Sequence, residues 1–419
     1  MMTMRRKAGL LALSVIAPFI TTRAQTQLTL REALHVVKTN NPWLKPERLN
    51  TGIAQSDLVT AGLRPNPVLN NQTLQLVNDR YFEAGTKFSN PHNRQVWWQL
   101  TKEFQLGGQR RYKQEVAGQN VVVTQQNYMD LERNLLLDAG VKWLDVWYNK
   151  RTLELIDQAR ANIDTLVGIQ QIRLKNQVIS SSDLARTELL QEQYDLQFKN
   201  VDQTYRNEQQ NLRFLLGGTD SITVYDGDSI FSMNLVPVLD SLVAVSYASR
   251  ADVAVAKANI ELSRSNVKLQ RSLAVPVPEL GVIWNPQNTV PYVGIFGTID
   301  LPFFNRNQGE VKKSRIQLEQ SEQRLSAVQL QVQTEVQIAL RSYQVNKATV
   351  EKYSGILRKS AQVLESVKYA YTRGGTTIID FLEAQRNWFD TEKLYCDALY
   401  NYRKSYLQLL CVTGLINQL

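Results

Sequence analysis

The sequence predicts a mainly helical chain with a smaller β component, assembled twice over from long helical hairpins joined to pairs of short strands. Three observations predict it. Landmarks recur at one constant offset, apolar residues recur every seven positions through long helical stretches, and runs of about ten residues between the helices alternate apolar with polar.

The duplication comes first because it organises the rest. "EFQLGGQR" (Glu103–Arg110) matches "DLPFFNRNQG" (Asp300–Gly309) in kind: an acid, apolar residues, then a turn into a basic, Gln-rich helix. Glu103 and Asp300 lie 197 residues apart, as do Asp183 and Asp380 in "SSSDLARTELL" and "TTIIDFLEAQR", and Gly217 and Gly414 in "LLGG" and "CVTG". Upstream, Pro65-Asn66-Pro67 and Pro276-Val277-Pro278 are 211 apart, so the first copy carries 14 extra residues. The polar stretch Asn78 to Asn93, with Gly85 and Pro91, is the expected longer loop. Each copy then reads as Pro motif, strand, loop, strand, long helix, break, long helix.

The helices follow from heptads. Val336, Tyr343, Val350, Leu357, Leu364 and Tyr371 are spaced by seven. Their counterparts Ala139, Val146, Leu153, Arg160, Val167 and Leu174 are apolar except Arg160. A sustained heptad implies coiled-coil packing. A helix from about Gln109 to Asn176 is roughly 100 Å long at 1.5 Å per residue, which suits a tube rather than a globule.

The strands follow from period two. In Arg94–Phe104, Val96, Trp98, Leu100 and Phe104 face one way, and Trp97, Gln99, Thr101 and Glu103 the other. In Val290–Leu301, Val293, Ile295, Ile299 and Leu301 oppose Tyr292, Thr298 and Asp300. Val68–Val77 and Glu279–Asn285 are weaker versions. About ten residues is the length of a membrane-spanning β-strand. Alternation alone also fits a pair of water-soluble hairpins; tryptophan and tyrosine at strand positions favour the membrane.

"YTRGGTTIIDFLEAQ" (Tyr371–Gln385) breaks the second helical run once. Gly374 and Gly375 suit a left-handed helix stop. Thr377 with Asp380, like Ser180 with Asp183, fits a capping box that restarts the helix. These breaks are the expected tips of two helical hairpins, far from the strands.

The chain opens with Arg5-Arg6-Lys7, a short apolar run Gly9–Ile20 and a small-residue site before Gln25, the pattern of a secretory signal. Residues 1–24 hold four basic and no acidic side chains, so their removal lowers the formal charge from +9 to +5. The remaining positives are dispersed among acids, which argues against nucleic-acid binding. Cys396 and Cys411, fifteen residues apart on one helix, lie about 22 Å apart, too far to bridge. His35 and His92 are isolated. No phosphate loop, nucleophile–base pair or His/Cys cluster at ligand spacing is present, so neither catalysis nor a bound metal or other cofactor is expected.

With these elements in order, the chain resembles the TolC-type outer-membrane efflux channels over essentially its whole mature length. "LTLREALHVVKTNNPWLKP" looks like that family's N-terminal segment, and "GGTTIIDFLEAQ" is similar to its Gly-Thr…Asp-x-x-Asp tip. "AGLRPNPVL" and "EFQLGGQRR" resemble the CzcC and CusC heavy-metal branch more specifically. The resemblance implies a homotrimer in which each chain gives four strands to a twelve-stranded outer-membrane β-barrel and its helical hairpins to a periplasmic α-barrel. Independently, four strands cannot close, and open edges are not tolerated in lipid.

The resemblance also implies site residues. The tip acids Asp380 and Glu383 become stacked rings under threefold symmetry and serve as a cation-favouring gate. The family's closed-state network is matched at Tyr371; its Arg corresponds to Thr376, with Arg373 nearest, and the second acid is Glu383 in place of Asp. The tips Val178, Ser180, Ser181 and Ser182, and Gly374, Gly375 and Thr377, are the expected docking points for a periplasmic adaptor. For Asp380, a local helix-start role stands beside the gate reading; for Glu383, a solvated surface does.

The expected division is residues 1–24 as signal, 25–218 as first repeat, 219–236 as linker and 237–419 as second repeat. The expected function is a passive, non-enzymatic exit duct in the outer membrane of a Gram-negative bacterium. It would contact outer-membrane lipid, a periplasmic adaptor and an inner-membrane resistance-nodulation-division pump, and heavy-metal cations are the first-choice cargo. The same duct for drugs or secreted protein, and a secreted structural coiled coil, are the alternatives.

Overall fold

The structure, a computed structural model, describes residues 26–218, 222–227, 230–232, 238–287 and 290–419. The signal expected at 1–24 lies outside these residues, as does half of the 219–236 linker.

The described chain begins with β1 (Thr26–Leu28), which pairs in parallel with β4 (Ile222–Val224). Helix α1 (Leu30–Asn40) starts on a capping box: Glu32 N–H donates to Thr29 Oγ1 at 3.3 Å and Thr29 N–H to the Glu32 carboxylate at 2.9 Å. Its Leu30, Ala33, Leu34 and Val37 form one buried stripe at i, i+3, i+4 and i+7. Helix α2 (Leu44–Ala61) leads to β2 (Val68–Gln75) and β3 (Arg94–Glu103). Then come α3 (Gln109–Lys175) and α4 (Ser181–Leu216), followed by β4, α5 (Leu239–Ser249) and α6 (Ala251–Ser272). Strands β5 (Glu279–Gln287) and β6 (Val290–Thr298) precede α7 (Gln308–Thr372) and α8 (Ile378–Val412). The order of the first copy thus recurs, and α4 and α8 begin 197 residues apart.

The heptads predicted the buried seam. Val336, Tyr343 and Tyr371 are buried, and Val350, Leu357 and Leu364 half-buried. The exception, Arg160, is matched across the hairpin: its Nε donates to Asp195 Oδ1 at 2.6 Å, and its guanidinium lies 4.5 Å over the Phe198 ring. Helix α3 pairs with α4, α7 with α8, and α3 with α8, which sets the two hairpins side by side. One core, centred on Trp143, Leu144, Val336, Tyr343, Tyr406 and Leu407, joins both hairpins to α1. A second, around Ile163, Tyr194, Tyr371 and Phe389, lies toward the tips.

Beside the first core, on the side away from the tips, a buried charge cluster ties four helices. Arg250, 3% exposed, donates from Nη2 and Nε to the two oxygens of Asp252 at 2.6 and 3.0 Å, and from Nη1 to Glu335 at 2.7 Å and the Val412 carbonyl at 3.1 Å. Arg133 on α3 reaches Asp252 at 3.2 Å and Asp130 at 2.9 Å. Burial pushes the Asp130 carboxyl up. For Asp252, burial acts in the same direction but Arg250 and Arg133 outweigh it and hold the carboxyl low.

The four long strands form one antiparallel sheet in the order β2-β3-β5-β6. The two copies meet at β3–β5, with Trp98 opposite Trp284 and Leu100 opposite Val282. One face carries Leu69, Trp98, Leu100, Leu280, Val282, Trp284, Val293 and Ile295, all exposed, with Ile295 at 89%. The other carries Asn70, Gln72, Gln99, Thr101, Asn285 and Thr298 among its residues. Strand β6 ends at Thr298, so Ile299 and Leu301 lie beyond it: at Pro302 the chain turns tightly, with Phe303 N–H bonding back to the Leu301 carbonyl at 2.8 Å. The extra loop of the first copy is ordered around buried Asn93, whose side chain accepts from Glu83 N–H and donates to Thr86 Oγ1 and the Lys87 carbonyl.

Candidate functional site

The hairpin tips are built by the same local grammar. Helix α3 stops where Gln177 takes φ 57°, and α7 where Gly374 takes φ 76°. Val178 N–H bonds back to the Arg173 carbonyl at 2.9 Å and Gly375 N–H to that of Ala370 at 2.8 Å, the Schellman pattern in both copies. Only Gly374 of the glycine pair needs the left-handed conformation, and the first copy manages it with a glutamine.

Each next helix then restarts on its predicted box. Asp183 N–H donates to Ser180 Oγ at 3.2 Å, and Asp380 N–H to Thr377 Oγ1 at 3.2 Å. Asp380 does more than its counterpart: Oδ2 accepts from the Thr377 hydroxyl and the Thr376 hydroxyl at 2.7 Å each, and from Thr377 N–H at 3.1 Å. The Thr377 and Thr376 hydroxyls hold its carboxyl below the usual range. Glu383, one turn on, is exposed and makes no hydrogen bond or ion pair with the described residues. Val178, Ser180, Ser181, Ser182, Gly374, Gly375 and Thr377 are all exposed.

The three residues grouped as a closed-state network are not joined to one another within the chain. Tyr371 is buried, Arg373 lies 4.3 Å over the Tyr369 ring, and Thr376 serves Asp380. Tyr371 instead receives two donors from α3: Gln170 Nε2 and Arg173 Nη1, each 2.7 Å from its hydroxyl. The Arg173 guanidinium also lies 5.0 Å over the Tyr371 ring, and Phe381 stacks on that ring at 5.2 Å with planes 3° apart. One tyrosine therefore links the ends of α3 and α7 to the start of α8. Sequence reasoning missed Gln170 and Arg173. Their counterparts, Val367 and Ala370, cannot make this contact, so the duplication carried no signal for it.

At the other end of the molecule the site is a surface: a sheet with one exposed apolar face and strands of eight to ten residues. Residues 242–415 match the family model described as outer membrane efflux protein. That match covers most of the second copy. The whole chain has the fold of the TolC-type channels. It superposes on CusC with TM-score 0.78 at 17% identity, covering 96% of this chain and 95% of that one. The Neisseria gonorrhoeae MtrE channel gives 0.75 at 15% identity, with 92% and 89% covered. Campylobacter jejuni CmeC gives 0.74 at 14%, with 92% and 85% covered. No curated protein matches by sequence. The TolC-type channel sits in the outer membrane and extends into the periplasm, and its work is transport rather than catalysis. Its exposed apolar face is thereby the lipid face, and the tips are the ends far from the membrane.

Proposed function

We propose that three copies of this chain form a passive efflux duct that takes cargo from an inner-membrane resistance-nodulation-division pump through a periplasmic adaptor. The observation that carries this reading is the four-stranded sheet with an apolar outer face and free edges at β2 and β6. In lipid every backbone donor and acceptor needs a partner, so each β6 edge must meet the β2 edge of another copy until the ring closes at twelve strands. The exposed hairpin ends around Val178–Ser182 and Arg373–Thr377 dock the adaptor. Residues 25–218 and 237–419 act as two quasi-equivalent units about the linker 219–236.

Heavy-metal cations are the proposed cargo, supported by the resemblance of "AGLRPNPVL" and "EFQLGGQRR" to the CzcC and CusC branch. Asp380 and Glu383, both exposed, form acidic rings at the narrow end that favour cations. Mass measurement of the detergent-solubilised chain tests the assembly, where a stable inserted monomer would refute it. Metal accumulation in cells lacking the chain tests the cargo: accumulation equal to that of complemented cells would refute the metal assignment and leave the duct intact.

A further inference from the structure

Both strand-to-helix junctions leave large apolar side chains uncovered. After β3, Phe104 is 42% and Leu106 72% exposed; after β6, Leu301 is 63%, Phe303 68% and Phe304 95% exposed. Strand β3 has both of its sheet neighbours, β2 and β5, within the chain, so the exposure of Leu106 does not arise at a free sheet edge. By parity, Phe104 continues the series Trp98 and Leu100 of the lipid face, its N–H still bonded to the Pro278 carbonyl at 2.9 Å. The same arrangement arises twice, at positions related by the 197-residue repeat, from different side chains.

Cations follow directly. Arg110 and Arg111 open α3, and Arg306 stands two residues before α7. All three are exposed, and none forms an ion pair with a described carboxylate. Arg306 is steadied at Nε by the Pro302 carbonyl, 3.1 Å away, and the Arg111 guanidinium lies 4.8 Å over the Tyr112 ring. The apolar band of an outer-membrane barrel is about 25 Å tall. Residues just past strands of nine or ten therefore fall at the headgroup level of the leaflet on the helix side.

We propose that these junctions form a collar that binds anionic phospholipid of the periplasmic leaflet. Phe104, Leu106, Phe303 and Phe304 sit among the acyl chains, and Arg110, Arg111 and Arg306 hold the phosphates. Guanidinium matches phosphate with paired, charge-assisted hydrogen bonds, and aromatic side chains favour the interfacial layer. The inference rests on the outer-membrane placement of the sheet. It goes beyond the duct, because it gives the channel a preference among lipids and fixes its depth in the bilayer.

The test uses the full-length chain in detergent micelles doped with dioleoylphosphatidylglycerol or dioleoylphosphatidylcholine, with retained lipid counted by native mass spectrometry. Phosphatidylglycerol is expected to be retained preferentially. Each of Arg110→Gln, Arg111→Gln and Arg306→Gln should weaken that retention about fivefold, the equivalent of about 1 kcal/mol per cationic side chain at an anionic surface. These residues are on the surface, so the variants fold. In a second arm Phe304→Cys carries a polarity-sensitive fluorophore, Cys396 and Cys411 being buried. Its emission should shift to the blue in phosphatidylglycerol vesicles. Equal retention of both lipids by the native chain and the triple arginine variant, or an aqueous emission at position 304 in vesicles, overturns the collar alone. Retention of neither lipid overturns the membrane placement and the collar with it.

Discussion

The hydroxyl of Tyr371 lies 2.7 Å from Arg173 Nη1 on the other hairpin, and it accepts a second bond from fully buried Gln170. One oxygen thus holds the last turns of α3 and α7 together. Tyr371→Phe strands both donors and should cost about 1–3 kcal/mol, the range for a buried donor left unpaired. Thermal melting should fall accordingly, and open probability in planar bilayers should rise. Adding Gln170→Leu should recover part of the stability but leave the channel open more often. If the single variant melts and gates like the native chain, the contact does not latch the tip.

Arg250 is nearly fully buried and faces Asp252 and Glu335. Arg250→Ala leaves those carboxylates without their main counter-charge, a loss of about 3–5 kcal/mol. Chemical denaturation should show it. A loss below 1 kcal/mol would mean that water replaces the guanidinium.

Ile295 sits mid-strand on the lipid face, with 89% of its surface exposed. Ile295→Lys should cost about 2–4 kcal/mol near the bilayer midplane and abolish heat-modifiable migration on gels. Asn70→Lys, on the opposite face, should leave that migration unchanged. Equal tolerance of both would show that the two faces are wrongly assigned.

Asp380 and Glu383 separate under two measurements. The Asp380 carboxyl has its folded pKa lowered, so its cap is fully formed above the ordinary aspartate value of about 4 and is lost only as pH falls through the lower folded value. Hydrogen exchange at the Thr377 amide should therefore stay slow down to that range; protection already lost at about pH 5 contradicts the cap. Glu383→Ala should change stability by no more than about 0.5 kcal/mol, because the side chain has no partner among the described residues. It should still remove part of the cation selectivity, and the double variant with Asp380→Ala most of it. A folded double variant with native selectivity would reduce both acids to caps and surface.

Much of the fold was legible because it rests on local rules. The heptad from Val336 to Tyr371 marks a buried or half-buried seam, and Ser180–Asp183 and Thr377–Asp380 start helices where their spacing says they should. The period of two in Arg94–Phe104 placed Trp98 and Leu100 on one face, as the register confirms. In Val290–Leu301 it overran, because the hydrogen-bonded strand ends at Thr298 while the alternation runs on. What could not be read depends on residues far apart in sequence. Gln170 meets Tyr371 across 201 positions, and Arg250 meets Val412 across 162. No period or motif encodes such meetings; they exist only once the hairpins have packed.

The central seam of the sheet joins Glu103 to Glu279, so a span of 176 residues separates the two strands that pair there. A chain made at about 5–20 residues per second offers β3 to its surroundings roughly 9–35 s before β5 exists. During that interval Trp98 and Leu100 have no second neighbour, and the edge of β3 is open to any other strand nearby. The duplicated architecture therefore sets a waiting time.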